Sequence, residues 1–130
     1  MKIVKTYSKG KTAKRKAYLF GLWAEFIAAL YLMLHGYRIL NMRYQTPRGE
    51  IDIVAKRKDM IVFAEVKARA DLSTALHSLP YKNRKRIENA ALYYISSHRG
   101  YNELSMRFDF IAVGFPFVIR HLDNAWQAAS

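Results

Sequence analysis

Two apolar segments, 51–55 and 60–68, constrain the fold of this chain more than any other feature. Apolar residues alternate with polar ones around both segments, which is typical of β-strands. The short polar segment between them, 56–59, is suited to a tight turn. The sequence therefore predicts two adjacent strands that close as a hairpin.

Charged side chains fall on shared faces of these predicted strands. Successive side chains of a strand point to opposite faces, so Glu50 and Asp52 share one face, and Glu65 and Lys67 share one face. If the hairpin closes, the two faces coincide, and three carboxylates and a lysine meet on one patch. Carboxylate oxygens bind hard divalent cations, and a nearby ammonium offsets charge at a phosphorus atom. This patch predicts Mg²⁺-assisted hydrolysis of phosphodiesters.

The overall charge points to the same class of partner. The chain has 130 residues, enough for one domain with a real core, and a formal net charge of +12. Such a charge favours polyanions, either nucleic acid or an anionic membrane surface, although it also serves solubility. The chain has no cysteine, which excludes thiolate metal sites and disulfides and is compatible with a cytoplasmic location.

Two segments at the N-terminal end are predicted to differ in character. Residues 1–16 are basic and contain no acidic residue, so we expect a flexible arm that touches phosphate or a functionally neutral tail, followed by a single domain over 17–130. The run 17–34 is almost wholly apolar, and a membrane span has to be considered. It is slightly short for a span, and Glu25 near its middle would be costly in lipid. A buried helix that ends at Gly36, without membrane contact, is the better interpretation.

Glu25 has small neighbours at helical spacing, namely Gly21, Ala28 and Ala29. That helix face can approach another backbone closely and carries a carboxylate with it. An isolated buried carboxylate is expensive, which favours a place for Glu25 in the site. A salt-bridged glutamate on a helix edge is the alternative.

The remaining pattern predicts a mixed sheet flanked by helices. The expected elements are a strand over 38–44, a turn over 46–49, a polar loop over 69–78, a helix starting near Pro80, strands over 106–114 and 117–122, and a short helix over 123–127.

Basic residues crowd the first turns of the predicted second helix. Positive charge at a helix N-terminus opposes the helix dipole, and a bound phosphate would relieve that conflict. A solvated basic face is the alternative for part of this set. The predicted nucleic-acid contacts are Lys82, Arg84 and Lys85 on this helix, Arg48 in the turn over 46–49 and Arg69 at the start of the polar loop.

An acidic helix residue, an aspartate on one strand and Glu-x-Lys on the next together resemble the PD-(D/E)xK nuclease superfamily. More closely, the chain resembles the YraN family of small bacterial proteins within it. The matching pieces are GLWAE at 21–25, the helix end at 32–36, GEIDIV at 49–54, FAEVKAR at 63–69, Lys82, RFD at 107–109 and NAW at 124–126. The set is specific through its order and spacing, which cover nearly the whole globular part.

The resemblance implies a restriction-endonuclease-like core, similar to archaeal Holliday-junction resolvases and tRNA-intron endonuclease domains. It implies that Asp52 and Glu65 bind Mg²⁺, or Mn²⁺, with the Val66 carbonyl. Lys67 would activate water and stabilise the phosphorus centre, and Glu25 would be a supporting acid that binds the metal directly or through water. The resemblance assigns no role to Glu50.

The resemblance and the composition leave two functions to compare. The first is a metal-dependent endonuclease that acts on nucleic acid, with DNA and branched or structured substrates favoured. The second is a nuclease-like fold that only binds nucleic acid or a protein. Cleavage of branched DNA usually requires one active site per strand, so a homodimer would support that substrate class.

Overall fold

A computed structural model describes residues 2–69 and 79–128, with side chains from residue 11 onward. Over this range the elements are α1 (Lys2–Leu34), β1 (Arg38–Thr46), β2 (Gly49–Arg57), β3 (Met60–Ala68), α2 (Tyr81–Ser97), a short 3-10 helix (Tyr101–Glu103), β4 (Ser105–Gly114) and β5 (Val118–Trp126). The predicted mixed sheet flanked by helices is confirmed. So is the helix start near Pro80, which is the N-cap residue of α2.

The described strands form one sheet in the order β1-β2-β3-β4-β5. The β1–β2, β2–β3 and β4–β5 pairs are antiparallel, and β3 pairs with β4 in parallel. A parallel pair needs a crossover connection, and α2 lies within the connection between β3 and β4. The predicted hairpin is present, because Arg57 pairs with Met60 at its closed end. The sheet is open and mixed, which is consistent with a restriction-endonuclease-like core.

The two helices cover opposite faces of the sheet. On one face, Ala24, Ala28 and Leu32 of α1 are fully buried against β2, β3 and β4. On the other, α2 packs its apolar stripe, which includes Ile87 and Tyr94, against the sheet. Alternation along the strands divides their side chains between these two cores. The carboxylate-bearing ends of β2 and β3 are thereby enclosed between helices.

Helix α1 begins at Lys2, well before the predicted start near residue 17. Lysine and alanine are good helix formers, and no proline interrupts the basic segment. The stretch Lys11–Leu34 is long and apolar enough to cross a membrane by length and composition alone. Core helices of soluble proteins meet the same criterion, and this helix carries the buried alanine face described above.

The C-terminal segment differs from the prediction. The expected helix over 123–127 is wrong, because β5 continues to Trp126 and pairs Trp126 with Phe108. The backbone amide of Asn124 donates to Asp109 Oδ1 at 3.0 Å, and Asn124 has a φ of 50° at an irregularity in the register. A tertiary acceptor on β4 thus holds this segment as a strand. The predicted polar loop lies, apart from Arg69, outside the described residues.

Gly49 brings β2 against the backbone of α2. A Cβ built at Gly49 would overlap the carbonyl oxygen of Arg86. The start of β2 and the first turns of α2 are therefore in direct backbone contact, which only glycine allows. This contact sets the position of α2 relative to the carboxylate-bearing strands.

Candidate active site

Asp52, Glu65 and Lys67 converge where β2 and β3 separate. The last paired residues of the two strands are Ile53 and Ala64, and beyond them the backbone amide of Val66 donates to Asp52 Oδ2 at 2.8 Å. Lys67 Nζ lies 3.1 Å from Glu65 Oε1. The predicted convergence of these three side chains is confirmed.

A cavity of about 140 Å³ opens beside this group. Its lining residues are Glu50, Glu65, Lys67, Asn83, Arg86 and Ile87. Glu50 thus faces the same space as Glu65 and Lys67, whereas Asp52, which was predicted to share the face of Glu50, is not among the described residues that line the cavity. Asn83 and Arg86 come from the first turns of α2, so the cavity lies between the sheet and that helix.

The two carboxyl groups are held at abnormal pKa values. Burial raises the pKa of Glu65 to about 8, with a further increase from the negative charge of Asp52 and an opposing effect from Lys67. Burial also raises the pKa of Asp52, against the opposing hydrogen bonds from the Val66 amide and from Glu65. Glu65 is therefore the group that keeps a proton at neutral pH and donates it to Asp52. A pair of this kind is characteristic of functional sites.

Glu25 lies at the edge of this group, on α1. It is 7% exposed, and its Oε1 lies 3.3 Å from Arg43 Nε, an ion pair without hydrogen-bond geometry. Burial raises the pKa of Glu25, and the charge of Asp52 raises it further while Arg43 lowers it. The influence of Asp52 places Glu25 within electrostatic reach of the site. The helix face around Glu25 was expected to lie close to another backbone. Ala28 on that face is fully buried, whereas a Cβ at Gly21 would meet nothing within 4 Å.

The donor set suits a hard divalent cation. A cation would allow Asp52 and Glu65 to be ionised together, and Glu25 Oε1, which is paired with Arg43, accepts no hydrogen bond from the described residues. In the described part of the chain, no three His, Cys, Asp or Glu side chains form a ready-made metal-binding group. Asp52 and Glu65 offer two carboxyl oxygens of the kind that Mg²⁺ prefers, and an ion bound by this pair stays a prediction. Val66 contacts Asp52 through its amide, and the role of its carbonyl stays a prediction.

None of the five predicted nucleic-acid contacts is among the described residues that line this cavity, which Arg86 of α2 lines instead. Lys82, Arg48 and Arg69 are exposed, whereas Arg84 and Lys85 are partly buried on α2. Lys85 Nζ lies 3.9 Å from Glu88 Oε1, and the Arg84 guanidinium lies over the Tyr81 ring. The first turn of α2 contains no acidic residue and Pro80 provides no side-chain cap, while the backbone amides of Asn83 and Arg84 donate to the Pro80 carbonyl oxygen.

Sequence reasoning missed Asn83 as a cavity residue and Arg43 as the partner of Glu25. The helical spacing from Ile87 back to Asn83 contained a signal for the first, because residues four apart share a helix face. No local signal reveals Arg43, since its position depends on how β1 pairs with β2.

A second cluster of charged side chains lies on the face of the sheet that α1 covers, and it stabilises the fold. Arg107 and His121 both donate to the fully buried Asp109, with donor–acceptor distances of 2.7–2.8 Å. Burial alone would raise the pKa of Asp109, but these bonds and the Asn124 amide hold it below its ordinary value. Tyr31 of α1 lies 3.1 Å from His121 Nδ1, so the cluster joins α1 to β4 and β5.

Comparison with known proteins gives a consistent result over most of the chain. The model of the family described as "Uncharacterised protein family UPF0102" matches residues 24–113. A UPF0102 protein of Mesorhizobium japonicum is 48% identical over 101 residues, covering 78% of this chain and 81% of the relative. A UPF0102 protein of Bradyrhizobium diazoefficiens is 43% identical over 114 residues, covering 88% of this chain and 86% of the relative. A third, from Agrobacterium fabrum, is 47% identical over 100 residues, covering 77% and 82%.

Proposed function

This chain belongs to the UPF0102 family, to which the name YraN also refers, and from that premise we propose that it is a metal-dependent endonuclease acting on DNA. The observation that carries the proposal is the convergence of Asp52, Glu65 and Lys67 beside a cavity that Arg86 also lines. Mg²⁺ is the proposed ion and Mn²⁺ a substitute. The proposed setting is the cytoplasm, without membrane contact, and a homodimer would allow paired cuts in branched DNA.

Each side chain of the site has a distinct task in this proposal. Asp52 and Glu65 hold the cation, and Glu25 adds negative charge at its edge. When bound, the cation lowers the pKa of an attacking water and neutralises charge on the phosphate. Lys67, held within 3.1 Å of Glu65, orients that water and stabilises negative charge as it builds on the phosphoryl oxygens.

Basic residues on the first turns of α2 would hold the substrate backbone. Arg86 lines the cavity itself, and Lys82 lies on the same turns of α2. Positive charge at this helix end favours a phosphate, which would offset the unfavourable interaction between the lysines and the helix dipole. The scissile phosphate would then lie between α2 and the Asp52–Glu65 pair.

A cleavage panel tests the proposal. Duplex, single-stranded, flap and four-way DNA are incubated with Mg²⁺ or Mn²⁺ and the wild-type protein, Asp52→Asn or Lys67→Ala. We expect cleavage by the wild type to fall by about 100-fold or more in both variants, the range for loss of a positioned charged group. Asp59→Asn, which changes an exposed carboxylate at the β2–β3 turn, should cleave like the wild type.

Two results would contradict this proposal. Full cleavage by Lys67→Ala, with contaminating nuclease excluded, would remove the role given to that residue. DNA binding that persists in EDTA, together with no cleavage of any substrate in Mg²⁺ or Mn²⁺, would favour the alternative of a binding module on a nuclease-like fold.

A further inference from the structure

The outer face of α1 is apolar and exposed to solvent. Large apolar side chains follow it at steps of four, three, four and three residues, namely Leu19, Trp23, Phe26, Leu30 and Met33. Because such steps keep side chains on one side of a helix, we call this set the α1 seam. All of its members except the half-buried Trp23 are 38–59% exposed. Ala28 and Leu32, on the opposite side of the helix, are buried against the sheet.

Three further exposed side chains widen the α1 seam. Phe115 and Phe117, in the connection between β4 and β5, are 78% and 72% exposed, and their ring centroids lie 6.0 and 6.4 Å from that of Trp23. Leu34, at the end of the helix, is 86% exposed. If a whole large side chain has about 200 Å², the exposed parts of the seam and of these three residues amount to about 800 Å². The largest apolar patch of a typical monomer is about 300–600 Å², so this surface is expected to have a partner.

A second copy of this chain fits the surface in area and in pattern. A stable protein–protein interface buries about 800 Å² on each partner. Alternating steps of three and four residues are the spacing by which two helices pack side by side along their length. A twofold axis pairs one such surface with itself and leaves no further copy to be added.

Charge selects the antiparallel arrangement of the two helices. Lys11, Lys14, Arg15 and Lys16 are exposed on α1 just before the seam begins. A parallel pair would place two of these basic groups side by side, which their like charges oppose. An antiparallel pair places each basic group beside the C-terminal end of the other α1, where the helix dipole favours cations and the last turn has no basic residue of its own.

We propose that α1 forms a homodimer interface in which the seams of two copies pack antiparallel around a twofold axis near Phe26. Phe26 is the middle residue of the seam, so Leu19 of one copy lies near Met33 of the other. The described residues that line the carboxylate cavity belong to β2, β3 and α2, so this dimer leaves both cavities open. The interface is independent of the endonuclease activity, and only its use for paired cuts rests on the function proposed above.

A charge placed in the middle of the seam tests the interface. Size-exclusion chromatography with light scattering should show a wild-type dimer at about 50 μM, because interfaces of this size have micromolar or lower dissociation constants. Phe26→Glu places two carboxylates against each other at the axis and should raise the dissociation constant at least about 30-fold, measured by sedimentation. Leu92→Glu is the matched control, because Leu92 is 61% exposed on α2, and this variant should stay dimeric. Circular dichroism checks that both variants fold.

Cross-linking measures the orientation of the two helices. The chain has no cysteine, so Leu19→Cys and Met33→Cys each carry a single thiol. The two positions are about 21 Å apart along the helix. A short bis-maleimide should join the two variants to each other in an equilibrated mixture, and should leave each variant alone without a cross-link. Cross-linking of Leu19→Cys to itself would contradict the antiparallel arrangement.

The remaining outcomes overturn the inference in distinguishable ways. A monomeric wild type that sediments with phosphatidylcholine vesicles, together with loss of that binding in Phe26→Glu, would assign the seam to a membrane surface. A monomer that binds no vesicles would remove the interface altogether. A dimer that Phe26→Glu does not weaken would place the interface on another surface. Each of these results leaves the cleavage panel as the separate test of the endonuclease.

Discussion

At the scale of single residues, Glu65 has an unusual pKa for a glutamate. Its pKa is raised to about 8, first by burial and then by Asp52, although Lys67 Nζ lies only 3.1 Å away. The sequence predicted that these side chains meet. It did not predict that one carboxyl holds its proton at neutral pH, because that depends on how much water the fold excludes.

Cation binding should therefore release a proton from Glu65. Metal binds the deprotonated carboxylate, so protons compete below pH 8, and affinity for Mn²⁺ should rise with pH by up to about tenfold per unit until it levels off above pH 8. At pH 7 binding should release about one proton per site, because the pKa of Glu65 lies above that pH. Calorimetric titrations in buffers of different ionisation enthalpy measure this number.

Glu65→Gln is the matched variant for that titration. It keeps the size of the side chain and removes the titrating group, so any residual binding should release almost no proton. A wild-type heat of binding that is independent of the buffer would contradict the assignment of Glu65 as a protonated ligand.

At the scale of elements, contact between β2 and α2 shapes the carboxylate cavity. Gly49 lies against the carbonyl of Arg86. Asn83, which precedes Arg86 on α2, lies in the wall of the cavity. Each element was predictable from its apolar periodicity. Their close approach was not, since a glycine at the end of a turn has the same local signature whether or not a helix packs on it.

Two glycine substitutions separate the cost of a steric clash from the gain in stability that a lower backbone entropy of the unfolded chain provides. Gly49→Ala forces β2 and α2 apart, so we expect a loss of about 1–3 kcal/mol in the free energy of unfolding, typical of overpacking. Gly21→Ala lies inside α1, where a Cβ meets nothing within 4 Å, and should add about 0.5–1 kcal/mol. Urea denaturation measures both changes. Equal effects in the two variants would contradict the close contact.

At the scale of the whole molecule, charge is distributed unevenly between core and surface. The chain has a formal net charge of +12, yet its buried charged side chains include the acidic Glu25, Glu88 and Asp109. Basic residues thus dominate the surface of the described residues, although Glu50, Asp59, Glu103 and Asp123 are exposed there as well. Such a field raises the rate and affinity of association with polyanions.

Binding to duplex DNA should weaken steeply with salt. If Lys82, Lys85, Arg48 and Arg69 each contact one phosphate, the logarithm of the association constant should fall against the logarithm of salt concentration with a slope of about −3 to −4. Anisotropy titrations between low and moderate salt give the slope. Lys82→Gln should reduce its magnitude by about one, and a slope near zero would contradict a phosphate-binding surface.

The sequence by itself determined the local elements and the faces of the strands. Alternation fixes which side chains share a face, so the meeting of Asp52, Glu65 and Lys67 followed from the hairpin alone. The C-terminal strand, the contact at Gly49 and the ion pair of Glu25 with Arg43 were decided only by tertiary structure. Each depends on contact with a residue distant in the chain. Local periodicity does not reveal which distant residue will accept a hydrogen bond or pack against a given position.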